Sequence, residues 1–135
     1  MTDYMGAYSS EVVAGIYELG RMYFDMGYSG PAERIFTGLA SSAPGQTPAL
    51  VGLGLLRLEQ GRVEDAVALL GRELETGNFH VEAKMGLAAA CLARGDMAKA
   101  KSILVPLAAD LEGLRGAISP AVRDLWEAMA LRCDA

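Results

Sequence analysis

His80 is the one histidine in this 135-residue chain, and Cys91 and Cys133 are its two thiols. A histidine acting as a general base needs a partner to orient it and a cleft to hold a substrate. His80 stands beside Phe79 at a helix start, with Glu82 nearby, and reads as a surface or loop residue. A zinc ion asks for four ligands of nitrogen or sulfur type, and these three residues are neither numerous nor close enough. The glycines form neither a phosphate-cradling loop nor a dinucleotide fingerprint. Glu64, Asp65, Glu73 and Glu75 are expected on the solvated face of a single helix. The residue types that do chemistry therefore predict no catalytic site, no cofactor, no metal and no enzymatic activity.

Totals narrow the field further. The net charge is −5 and the basic residues are scattered, only Lys99 and Lys101 lying close together. Nucleic acid as a partner asks for a basic stripe or patch, so it is not expected. Two cysteines outside a CxxC pair make no disulfide framework, and Cys91, in an apolar helical stretch, reads as a small core residue. The start of the chain, Met1-Thr2-Asp3-Tyr4-Met5, shows no basic stretch leading into an apolar run. The longest apolar stretches, Val51 to Leu56 and Met85 to Ala93, fall short of a membrane span. A soluble, cytoplasmic protein without membrane insertion is the expectation.

What positions these residues is a repeat. The stretch from Leu19 to Pro44 places Leu19, Gly20, Gly27, Ala32 and Phe36 in an order that recurs 34 residues later as Leu53, Gly54, Gly61, Ala66 and Leu70. A second step of the same length gives Leu87, Ala88, Gly95, Ala100 and Leu104. Apolar spacing and end signals predict helices near 10–26, 31–42, 48–60, 63–76, 80–94, 97–112 and 120–132. Ser9 or Ser10 can cap the first, with Glu11 in its first turn where an acid suits the helix dipole. Gly27, Gly61 and Gly95 stop three helices at equivalent places, where a left-handed residue is wanted. Proline suits the first helical position, so Pro31, Thr47-Pro48 and Ser119-Pro120 mark helix starts, with the hydroxyls as caps. Asp96 caps the sixth helix. Pro106, inside it, removes the bond to the Ser102 carbonyl and predicts a kink or an early end. In the last helix Val122, Leu125, Trp126, Met129 and Ala130 recur at helical spacing, and Trp126 is expected to pack rather than bind.

A 34-residue period with Leu-Gly and Tyr on one helix, and Ala, a large apolar residue and a closing Pro on the next, resembles the tetratricopeptide repeat. The first copy carries Ile16, Leu19, Gly20, Tyr23, Gly27, Ala32, Phe36 and Pro44 in those columns. The later copies depart: Arg57 and Cys91 replace the aromatic, Asn78 replaces the closing proline, and Ala88 replaces a glycine. The resemblance implies an all-α, right-handed solenoid of three helix-turn-helix repeats, at about 13–46, 47–80 and 81–114 within 10–114. An N-terminal arm over 1–9 would precede it, and a loop with a capping helix over 115–135 would cover its open end.

In such solenoids the first helix of each repeat lines the inner surface, where partners bind. Counted from Val13, Thr47 and Val81, the family's inward columns read Ala14, Tyr17, Arg21, Phe24 and Asp25; Pro48, Val51, Leu55, Leu58 and Glu59; Glu82, Met85, Ala89, Leu92 and Ala93. Most are apolar. Members that clamp a carboxylate tail use Lys, Arg and Asn there, and here Arg21 alone supplies such a group. Tyr17, Arg21, Phe24, Val51, Leu55, Leu58, Met85, Ala89 and Leu92 are the expected partner-binding groove, suited to an apolar or amphipathic helix or extended peptide of a protein partner. In size, acidity and repeat number the chain resembles the small chaperones of bacterial type III secretion, which keep needle or translocator subunits soluble. The same columns also fit a groove filled by the chain itself or by a second copy in a homodimer, because helices apolar nearly all round are usually buried. The chain would then be a structural assembly adaptor or homo-oligomerising subunit.

Overall fold

The computed structural model describes residues 9–113 and 120–134, and within them all regular structure is helical. The helices are α1 (Ser10–Asp25), α2 (Ser29–Ser42), α3 (Ala49–Glu59), α4 (Val63–Thr76), α5 (His80–Ala93), α6 (Met97–Gly113) and α7 (Pro120–Asp134). They pack as hairpins, α1 with α2, α3 with α4 and α5 with α6, while α2 touches α3, α4 touches α5, and α7 lies on α6 and the edge of α5. The N-terminal arm expected before Ser9 and the loop expected over 115–119 lie outside the described residues.

The turns inside the hairpins show how the repeat is built. Gly27, Gly61 and Gly95 hold φ of 84°, 75° and 78°. Around the first, the Gly27 amide donates to the Phe24 carbonyl and the Tyr28 amide to that of Tyr23. The same pair of bonds forms from Gly61 to Leu58 and Arg62 to Arg57, and again from Gly95 to Leu92 and Asp96 to Cys91. This is the Schellman arrangement, which satisfies helix-end carbonyls by sending one residue into the left-handed region.

Close approach between neighbouring helices rests on other glycines. The Phe36 ring is wedged between Gly20 of its own hairpin and Gly52 of the next. A methyl on Gly20 would meet the ring at 2.8 Å, and one on Gly52 would meet it at 2.6 Å. One repeat later Leu70 sits between Gly54 and Gly86, with clearances of 2.9 Å and 2.7 Å to an added methyl. Phe36 and Leu70 are fully buried. The cores are therefore strung between hairpins, one around Phe36, Leu39 and Leu56, one around Val51, Leu70 and Ala83, and one around Leu92, Leu104, Leu107 and Met129.

Some local expectations are met and others are corrected. Ser9 caps α1, its Oγ accepting from the Val12 amide at 3.2 Å, and Asp96 Oδ1 accepts from the Lys99 amide at 3.1 Å. Helix α2, however, begins at Ser29, which leaves Pro31 inside the first turn, where amides lack intrahelical partners anyway. Pro48 is the cap of α3 rather than its first residue, so the Thr47 hydroxyl is one position too early to cap and makes no bond. Helix α6 does not end at Pro106 but runs through it to Gly113. The buried side chains of Leu104 and Leu107 bracket the proline, and their packing outweighs one lost backbone bond. Trp126 packs against the third core and its Nε1 donates to the Leu104 carbonyl at 2.8 Å. Glu73, expected on a solvated face, is 2% exposed.

The slots make opposite predictions for one substitution type. Gly52→Ala forces a methyl into the Phe36 ring and should cost about 1–3 kcal/mol in urea unfolding. Gly71→Ala, where an added methyl meets nothing within 4 Å, should instead stabilise by roughly 0.5–1 kcal/mol. Equal effects of the two would contradict the wedge.

Candidate partner-binding face

Helices α1, α3 and α5 are the first members of their hairpins, and α1 contacts α3 as α3 contacts α5. The expected groove residues are distributed along these three helices. On α1, Tyr17, Arg21 and Phe24 are partly accessible. The Tyr17 ring lies 5.7 Å from that of Phe36, so its inner edge is anchored in the first core. The Arg21 guanidinium lies 5.5 Å from the centre of the Phe24 ring and 3.9 Å from Asp25. A cation over an aromatic face is held by the ring's quadrupole, which orders Arg21 along the helix surface.

On α3, Leu55 and Leu58 are partly accessible, whereas Val51 is buried between the hairpins. On α5, Ala89 is partly accessible, whereas Met85 and Leu92 are 4% and 5% exposed. Both belong to the core that Met129 of α7 enters. The third hairpin thus covers its large apolar side chains on this face with its own chain. The accessible part is formed by Tyr17, Arg21, Phe24, Leu55, Leu58 and Ala89.

Electrostatics tie α1 to α5 across this surface. Burial pushes the Tyr17 phenol above its ordinary value, against the pull of Arg21 and with a smaller push from Glu18 and from Glu82 on α5. Burial likewise raises the Glu82 carboxyl, and the charge of Glu73 adds to it. Both groups are thus partly withdrawn from solvent, which is what moves them. Away from them, Arg57, standing in the aromatic column, donates to Glu33 on α2 at 2.6 Å, and that bond holds the Glu33 carboxyl below its usual range. Arg94 pairs with Glu64 and Lys84 lies 3.6 Å from Asp110.

No cluster of three or more His, Cys, Asp or Glu side chains able to hold a metal is found among the described residues. His80 is exposed and its Nε2 lies 2.9 Å from the Gly77 carbonyl, so it braces a turn. Among those residues no helix is long and apolar enough to cross a membrane.

Residues 51–101 match the model of the tetratricopeptide repeat. The fold is a tetratricopeptide-repeat solenoid. PcrH from Pseudomonas aeruginosa has a similar structure, with a TM-score of 0.68 at 23% identity, covering 95% of this chain and 96% of that one. The type III secretion translocator chaperone SycD from Yersinia enterocolitica superposes with a TM-score of 0.63 at 21% identity, over 95% of this chain and 90% of its own. No curated protein matches the chain in sequence. Both likenesses extend over nearly the whole chain.

Burial separates two kinds of position on the face. Leu92→Asp places a charge in the third core and should destabilise by about 3 kcal/mol or more. Leu58→Gln, at a partly accessible site that enters none of the cores, should stay within about 1 kcal/mol of the parent in thermal or urea unfolding. Comparable losses would mean that Leu58 is as deeply packed as Leu92.

Proposed function

We propose that this protein is a cytoplasmic interaction module, not an enzyme, that holds an apolar or amphipathic segment of another protein against α1, α3 and α5. The observation that carries the reading is the accessible apolar surface of Tyr17, Phe24, Leu55, Leu58 and Ala89, interrupted by one ordered cation, Arg21. Such a surface offers spaced anchors for an apolar segment and one polar contact to fix its register. The fold likeness to a translocator chaperone supports the narrower role of keeping a secreted or assembled subunit soluble before export.

A second reading is favoured by a different surface. Val12, Leu19 and Met22 share a helical face of α1, away from buried Val13 and Gly20, with Met26 at the C-terminal cap continuing it, and all four are 44–57% exposed. Contiguous exposed apolar surface marks an interaction site, and a second copy meeting through α1 would make the protein a homodimer or an assembly adaptor.

The two readings separate in one set of measurements. A needle or translocator subunit should co-purify with the chain, and Phe24→Gln with Leu58→Gln should weaken that complex at least about tenfold while leaving helicity unchanged. Sedimentation should show a dimer dispersed by Met22→Glu with Met26→Glu but not by the first pair. Binding untouched by the first pair would remove the partner from this face.

A further inference from the structure

The repeat register singles out one region of the second hairpin. Thr47 stands in the column of Val13 and Val81, and Glu73 in the column of Leu39 and Leu107. Val13, Leu39 and Leu107 are buried apolar residues, which is what the scaffold needs there. Thr47 and Glu73 are buried too, at 6% and 2% exposed. A hydroxyl and a carboxylate have replaced a core valine and a core leucine without leaving the core. A third column changes with them: Gly77 replaces buried Ala43, and the Glu73 carboxylate fills the space a methyl at Gly77 would need.

Thr47 and Glu73 line a cavity of about 290 Å³ between the α2–α3 and α4–α5 connections. The Asn78 side chain donates to the Gly45 carbonyl at 3.0 Å and ties the two connections together. Thr47 Oγ1 has no hydrogen-bond partner. Glu73 Oε2 accepts from the Phe79 amide at 3.3 Å, a bond that joins it to the start of α5. It nevertheless enters none of the ion pairs among the described residues, although Arg72 lines the same cavity. Leaving a buried hydroxyl unpaired is costly, and leaving a buried carboxylate without a counter-charge is more so. Water can satisfy the hydroxyl but brings no charge. The group that answers both is a cation carrying several N–H donors. None of the expected groove residues lines this cavity.

We propose that the cavity binds one ammonium or guanidinium group, with the Glu73 carboxylate as counter-ion and the Thr47 hydroxyl as second acceptor. The group arrives on a lysine or arginine of a protein partner or on a free amine, and the site stands whether or not the apolar face binds a segment. Amide chemical shifts during titration with n-butylammonium chloride test it. The Gly45, Gly77 and Phe79 amides should shift to saturation, and tetramethylammonium, which has charge but no N–H, should leave them in place. Thr47→Val should weaken binding about tenfold and Glu73→Leu should abolish it. Both variants carry the side chain that the sister repeats use, and circular dichroism checks that they fold. A lysine-containing apolar peptide that binds more tightly than n-butylammonium and is displaced by it assigns the cation to a partner; equal affinity assigns it to free amines. Shifts that never saturate, that appear equally with tetramethylammonium, or that survive Thr47→Val unchanged overturn the proposal.

Discussion

The stack depends on large side chains seated where neighbouring helices carry none. Phe36 occupies the gap left by Gly20 and Gly52, and Leu70 that left by Gly54 and Gly86. Each wedge joins the two helices of its own hairpin to the first helix of the next, so a single contact sets the distance inside a repeat and between repeats. Packing at interior density tolerates neither an added methyl nor a vacancy at such a point. The ends of the helices are fixed separately, by three glycine turns with the same pair of backbone bonds. Distance and direction are thus encoded by different residues.

That division explains what could be read from the sequence. Helix number and boundaries were legible because the stop signal is a backbone requirement: Gly27, Gly61 and Gly95 take positive φ, as few other residues do. Caps were legible only where a side chain reaches an amide, as at Ser9 and Asp96. Pro31 and Pro48 misled because a proline fits anywhere in a first turn or at the cap, so it marks a helix start without fixing the residue. Pro106 offered a kink or an early end, and the early end does not occur. Its local cost is real, but it falls between two buried leucines, and tertiary packing overrides a single missing bond.

The face was legible in register and illegible in exposure. Column counting put Tyr17, Leu55 and Ala89 on adjacent helices, but it could not tell that Met85 and Leu92 are enclosed in a core shared with Met129 while Leu58 is not. That difference is one of tertiary packing, which has no period along the chain. Glu73 shows the reverse. Its helix read as an amphipathic surface element, yet comparing it with Leu39 and Leu107 at the same register exposes it as a buried acid. The signal was in the column, not along the helix.

The bond from the Trp126 indole to the Leu104 carbonyl has a consequence for how the molecule comes apart. In a linear array each unit is held by its neighbours alone, so opening starts at an end and travels inward. The chain has one tryptophan, and it sits at the C-terminal edge of that array with its N–H committed to the penultimate helix. Its fluorescence therefore registers the release of the terminal helix and is silent about the hairpins nearer the N-terminus, while the far-ultraviolet signal sums over them all. Divergence between the two during unfolding would measure the sharpness of cooperation along the stack.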